Sequence, residues 1–416
     1  MKVKITMILI MNICFGLLSG CWDKLELEEQ AYVVTVGIDI AEGDNIVVTC
    51  QIANPQGGST AGSGGNQNEP AAEIVSFTMR DFLSIRDLAA SSVTRRITFT
   101  HTKTLVVGED FARSDKFYNI LESIVRDRQV RRDTYLIISK ESAEDFIRNN
   151  QSALETRPHK FYEFMSKRWQ ESGLVPVSII RRFIHDTESG EALHLAIYGT
   201  NEKTGIAGEK DEDNYIAGEV DKEGGNIVQL IGSAVFKDGK MINVIDGEDT
   251  RIALLLREQI DIDTYFVTYK DPKDEEYVIT IRLTKHKKTK VDINTDNEIP
   301  TINVVVPLEA SVVSIPSNVD YVTDEGNKNF LADYIGEELK KKTEKFLDRS
   351  KEEFKMGAFD WYLIARKQFN TLEEYKLYNW REKYPEAEIT VEYDVSIKDF
   401  GRLFQPHTNR EGSANQ

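Results

Sequence analysis

Behind Lys2 and Lys4 the chain runs apolar from Ile5 to Leu18, broken only by Thr6 and Asn12, and then closes in Leu18-Ser19-Gly20-Cys21. This opening constrains the fold most, because it sets where folding begins and on which side of a membrane. A spanning helix needs about 20 residues, and the run at 5–18 falls short. A basic start, a short apolar core and small residues at its boundary form the pattern of a cleaved export signal, not of an anchor. The folded body is expected to begin at residue 21, outside the membrane, with 1–20 removed.

Exported proteins commonly rely on disulfides. Here Cys14 lies in the signal and Cys21 at its end, so only Cys50 remains. The mature chain has no intrachain disulfide available and must be held by packing. Cys50 shares a strand face with Ile46, Val48 and Ile52, which reads as a buried small hydrophobe rather than a reactive thiol. With 40% apolar residues in 416, the chain can build two or three cores and is too long for one ordinary domain. Losing the two signal lysines moves the formal charge from −17 to −19. Such an acidic body does not suit nucleic acid, and it argues against adhesion of the body to anionic lipid. Solubility accounts for the charge.

Strands are expected at Tyr32 to Ile40 and Asn45 to Ala53, as a hairpin. A glycine- and serine-rich loop follows at 56–70, without a phosphate-binding pattern. Apolar spacing predicts a helix over Met79 to Val93, then a strand pair through Ile97–Phe99 and Leu105–Val107. Asp115 is placed to cap a helix bearing Phe117, Leu121 and Ile124, and Ser142 to cap another after a strand at Tyr135 to Ser139. Helices near Phe161–Trp169 and Val177–His185 lead to a strand at Ala192 to Tyr198.

Residues 199–226 hold eight acids against three lysines and read as an acidic linker. A second region is expected to open with a hairpin, Leu230 to Phe236 and Met241 to Ile245, around Lys237-Asp238-Gly239-Lys240; Asp-Gly there favours a type I′ turn. A helix at Thr250–Glu258 follows, then strands at Tyr277–Leu283, Lys290–Ile293, Thr301–Val306 and Glu309–Ile315. The longest helix is expected at Phe330 to Phe354, with shorter ones at Phe359–Phe369 and Leu372–Lys383. Ile389, Val391, Tyr393, Val395 and Ile397 alternate as a last strand. The class is α+β, multi-domain: an N-terminal α/β region and a strand-rich C-terminal domain with a long helix. The expected division is signal 1–20, N-terminal domain 21–198, linker 199–226, C-terminal domain 227–402 and disordered tail 403–416.

Catalytic patterns are missing from the sequence: no G-x-S-x-G elbow, H-E-x-x-H, Walker loop or paired C-x-x-C. His101, His159, His185, His194, His286 and His407 are dispersed, without metal-ligand spacing. His101 and His194 read as packed or surface histidines. The basic run Lys285 to Lys290 reads as a solvated loop, and Arg126 to Asp133 as a docking face or, more simply, a solvated helix end. The expectation is a non-enzyme with no metal and no cofactor.

Leu18-Ser19-Gly20-Cys21 resembles the lipobox of bacterial lipoproteins, against the simpler reading of a secretory signal with a chance cysteine. That resemblance implies S-diacylglycerol on Cys21, whose freed amino group can also be acylated, and a body tethered to the membrane through lipid. Trp22 would then sit at the headgroup level or pack structurally. Further segments resemble the Ger(x)C spore germination lipoproteins. They are Cys21-Trp22-Asp23 through Val36-Gly37-Ile38-Asp39, Arg95 to Lys103, Val107-Gly108-Glu109, Arg131-Arg132-Asp133 and Gly232 to Lys240. The resemblance implies the C subunit of a nutrient germinant receptor. Its partners would be A-type and B-type integral membrane subunits, on the outer face of the spore inner membrane, and its role assembly or signalling. A solute-binding lipoprotein of an importer is the alternative from composition and anchoring alone; a carboxylate hydrolase has only the abundance of acids behind it.

Overall fold

The computed structural model of the chain describes Ile5 and residues 26–54, 70–155, 157–205, 213–317 and 319–401. The rest of the expected signal, Cys21, Trp22, the expected loop apart from Pro70, and the tail lie outside the described residues.

β1 (Gln30–Ile40) and β2 (Ile46–Ala53) form the expected hairpin. β3 (Ala72–Met79) adds antiparallel to β2. The sequence hid this strand because most of its residues are half-buried, without the clean alternation that marks one wet and one dry face. β4 (Arg96–Thr98) and β5 (Thr104–Gly108) do not pair with each other; both run parallel to β1, end to end along one of its edges. β6 (Tyr135–Ser139) and β7 (His194–Thr200) continue the parallel run.

Helices cover both faces, as a parallel centre requires. On one face α1 (Ile85–Ala89), α3 (Phe117–Val125) and α6 (Ile180–Ser189) bury Phe117, Phe183 and Ile124 against Ile38, Cys50 and Leu105. α2 (Glu109–Ala112) is the short turn of helix between β5 and α3. On the other, α4 (Ala143–Asn149) and α5 (Pro158–Ser172) bury Phe146, Tyr162 and Trp169 against Val106, Ile137 and Ile197. The Ser142 hydroxyl caps α4 by accepting from the Asp145 amide at 3.1 Å. Asp115 does not cap α3. Lys116 holds that position, and Asp115 is drawn to Lys240 instead, 2.7 Å away.

The hairpin expected to open the second domain belongs to the first sheet. β8 (Gln229–Lys237) pairs antiparallel with β7, and β9 (Lys240–Ile245) with β8, so nine strands join in the order β3-β2-β1-β5-β6-β7-β8-β9, with β4 beside β1. Its turn is as expected: Asp238 and Gly239 both have positive φ, 51° and 79°. The described part of 199–226 is not a free linker either. The Thr204 amide donates to Gly218 O at 2.8 Å and the Ala217 amide to Ile231 O at 3.1 Å. Ala217 is buried, so this segment is stitched to the sheet despite its acids.

α7 (Gly247–Leu256) follows, buried on nearly every side. A helix buried on nearly every side, its first turns by polar residues and its last by Ile252 to Leu256, lies inside a core rather than on its surface. Beyond it β10 (Thr264–Asp271), β11 (Asp274–Thr284), β12 (Lys290–Asn294), β13 (Thr301–Ser314) and β14 (Glu388–Asp399) form a five-stranded sheet. β14 runs parallel along nearly all of β13, leaving β12 and β11 to share its other edge, one after the other. The two expected strands at 301–315 are therefore one. Pro307 stands in the gap between those neighbours, where a missing N–H is tolerated.

α8 (Glu325–Glu352) packs Leu331, Ile335, Leu339 and Phe346 on this sheet, and its Gly336 lets β14 approach: a Cβ there would lie 3.2 Å from Tyr393 O. α9 (Trp361–Arg366), α10 (Leu372–Tyr378) and α11 (Trp380–Lys383) close the sheet's end. One core cluster contains Leu195, Val235 and Ile245 of the first sheet together with α7, the second sheet and α8. The two regions share a core.

Candidate functional site at the domain junction

Three segments distant in sequence meet where the regions join: α6, the 257–263 stretch leaving α7, and the turn into α9. Arg182 of α6 donates to Asp360 at 2.6 Å and also faces Asp186 at 3.7 Å and Asp261 at 4.0 Å. Arg257 reaches Asp261 at 3.2 Å, Asp360 at 3.9 Å and the Ala358 carbonyl at 3.2 Å. Two guanidiniums thus face three carboxylates in a partly dry setting, where truncating one partner strands the others. Asp360 reaches this position because its backbone is left-handed, φ 61°. The Trp361 indole N–H donates to Leu256 O at 3.0 Å, fixing α9 to the end of α7.

Lys285 corrects the reading of the basic run as solvated. It is buried, and its ammonium donates to the carbonyls of Leu255, Arg257 and Gln259 at 2.9, 3.1 and 3.0 Å. These are orphan acceptors at a helix C-terminus, which a cation satisfies. Thr289 adds a bond to Leu255 O at 2.6 Å. Only the remainder of the run is solvent-exposed.

Behind this network Ser178, His194 and Asp186 line up. The Ser178 hydroxyl lies 2.8 Å from His194 Nε2, and His194 Nδ1 lies 2.7 Å from Asp186 Oδ2. Burial pushes the Asp186 carboxyl up, but His194, Arg182 and Arg257 outweigh it and hold it below its ordinary value. Burial, helped by the two arginines, lowers His194 against the pull of Asp186. The neutral ring therefore carries its proton on Nδ1, donating to Asp186, while Nε2 accepts from Ser178. The connectivity is that of a nucleophilic triad, but a reacting carbonyl must come within about 3–3.5 Å of the hydroxyl, and Ser178 is 0% exposed. In this conformation the three residues act as a clamp tying α6 to β7.

A cavity of about 550 Å³ opens beside the network, walled by Val177, Ile179, Ile260, Tyr362 and Leu363 with Arg181, His185 and Asp263 around it. Its size is that of small-molecule sites. Sequence reasoning missed this junction: Arg182 and Asp360 are 178 positions apart, and neither sits in a motif. Among the described residues no group of His, Cys, Asp and Glu is arranged to hold a metal ion, and no helix is long and apolar enough to cross a membrane. Cys50 is buried, with its thiol pushed up to about 12 by burial, as an inert core residue should be.

Compared with known proteins, residues 23–198 match the family described as the spore germination protein N-terminal domain, and residues 231–401 match the spore germination B3/GerAC-like C-terminal family. This chain is a Ger(x)C family protein. Spore germination protein KC of Bacillus subtilis (strain 168) is 26% identical, with 97% of each chain covered. Spore germination protein B3 of the same organism is 20% identical over 93% of this chain and 95% of its own. The crystal structure of the GerBC protein superimposes with a TM-score of 0.52 at 15% identity, covering 88% of this chain and 96% of that one. At that identity the likeness speaks for the fold, mixed sheets and helices as expected. In this Ger(x)C chain the C-terminal family match begins inside β8, a strand of the first sheet.

Proposed function

We propose that this protein is the lipid-anchored C subunit of a spore nutrient germinant receptor. Diacylglycerol on Cys21 would hold it at the outer face of the spore inner membrane, beside A-type and B-type integral membrane subunits. Its work is assembly or signalling within that receptor, without an enzymatic step. The observation that carries this reading is the succession of both spore germination domains along one chain, behind a signal ending in Leu18-Ser19-Gly20-Cys21. Lipid confinement raises the local concentration of the body for membrane partners, so no large permanent interface is required.

The test replaces Cys21 with Ala and follows membrane fractionation of the spore protein and nutrient-triggered germination. Release from the membrane with impaired germination is expected. A protein that stays membrane-bound in spores that germinate normally would overturn the tether. The cavity at the junction favours a second reading, a solute-binding lipoprotein of an importer. Such proteins close two lobes about a hinge, whereas here the regions share a core. Saturable small-molecule binding by calorimetry would support it.

A further inference from the structure

The charge of the chain is unevenly spread. β1, β4, β5, β6 and β7 are parallel, so the segments leading into them emerge at one end of the first sheet. Arg95 and Arg96 stand at that end, Arg96 level with Gln30. Lys103 precedes β5, and the Arg131–Thr134 turn before β6 is fastened to it, Thr134 Oγ1 lying 3.3 Å from Thr102 O. The Arg181 amide donates to Arg132 O at 2.9 Å, and Gln129 bonds the Phe99 amide at 3.3 Å, which brings Arg128 to the same end. Arg95, Arg96, Lys103, Arg128, Arg132 and Arg181 are all exposed. The acids interleaved with them are already engaged: Asp127 holds Arg86 at 2.5 Å and Asp133 holds Arg131 at 2.6 Å. Exposed acids share this end: Glu26, Glu28 and Glu29 around Gln30, and Glu73 beside Arg95, so the basic residues outnumber them without standing alone.

The same end is where the chain arrives. Glu26 is one helical turn from Gln30, its carbonyl accepting from the Glu29 amide at 3.1 Å. The five residues back to Cys21 span at most about 18 Å. We infer that this basic end of the sheet is a contact surface for the anionic phospholipid headgroups of the bilayer, orienting the body on its tether. Charge complementarity and the place where the chain reaches Cys21 select that occupant. The inference rests on the reading of Cys21 as the lipid-bearing residue.

The test uses the chain from residue 21 onward, made without lipid, sedimented with vesicles of phosphatidylcholine alone or mixed with phosphatidylglycerol. Binding is expected only to the mixed vesicles, and salt should abolish it. Each arginine removed should weaken partitioning about fivefold. Arg95→Gln with Arg96→Gln, or Arg128→Gln with Arg132→Gln, should therefore lower it by about 25-fold, while Lys287→Gln with Lys290→Gln leaves it unchanged. Absence of binding, equal binding to neutral vesicles, or equal loss in the lysine control overturns the assignment. So does an arginine variant that binds vesicles normally but no longer associates with the membrane subunits, which would give the surface to an acidic protein partner. The Cys21→Ala fractionation is read separately, so a failed tether and a failed surface give different results.

Discussion

Replacing Leu255 with Ala tests whether the two regions form one cooperative unit. Leu255 is 0% exposed on α7, inside the core cluster that holds residues of both sheets. Truncating a buried leucine costs about 2–5 kcal/mol, part lost transfer energy and part the cavity left behind. The cost should lie near the middle, about 3.5 kcal/mol, because neighbouring elements on several sides restrict collapse of the site. With an unfolding entropy of about 2.1 cal/mol/K per residue, a chain of this length loses about 4 °C in Tm. The assay is calorimetry of wild type and Leu255→Ala, with hydrogen exchange read at β5 in the first sheet and β13 in the second. A single transition that moves as a whole, with protection lowered in both strands, is expected. Two transitions of which only the second moves, with β5 unaffected, would refute the argument that the regions share their core.

Asp186→Ala leaves the buried His194 Nδ1–H without its acceptor, Arg182 keeping Asp360, and should cost about 1–3 kcal/mol; a urea midpoint within error of wild type would show the clamp contributes nothing. Asp39 accepts from the amides of Ala143 and Glu144 at 2.7 and 3.1 Å, yet burial raises its carboxyl to about 6. Its folded value exceeds the unfolded one, so the folded state holds the proton and the group's contribution is greatest below about pH 4. About 3 kcal/mol of it should be lost as pH rises toward 6. The disadvantage of Asp39→Asn in urea unfolding should thus shrink from pH 4 to pH 7, and a disadvantage that grows instead would contradict this. Gly232 has φ 86° and a Cβ there would meet Ile245 O at 2.3 Å; Gly232→Ala should destabilise by more than the about 1 kcal/mol that the same change gains where the backbone fits, seen as a lowered urea midpoint.

Local features were legible in the sequence. The Asp238-Gly239 turn, the Ser142 cap, the strand at Tyr135–Ser139 and the alternation through Ile389 to Ile397 each depend on a few adjacent residues, and each stands in the structure. What needed partners was not legible. Ile97 and Leu105 read as strand residues, but nothing near them says that both strands lie along β1. β10 alternates buried and exposed residues, Tyr265, Val267 and Tyr269 facing inward, but its pattern is short and weaker than the apolar runs that follow. Lys285 reads as solvated because a lysine usually is; only the fold shows a helix end waiting for a cation. The basic end of the first sheet was hidden in the same way, its arginines scattered over residues 95–181 of an acidic chain.

The pairing of β7 with β8 has a consequence for how the chain is made. β7 is buried along its whole length, and the strand that covers its edge arrives only about thirty residues later, across the acidic segment. A chain emerging from its N-terminus would hold Leu195 and Ile197 at an open edge until residue 237 is free, and such edges invite foreign strands. A fragment ending at residue 198, where the first family match stops, would keep that edge permanently. Dissecting this protein into two pieces should therefore cut after Ile245, with β9 left on the first.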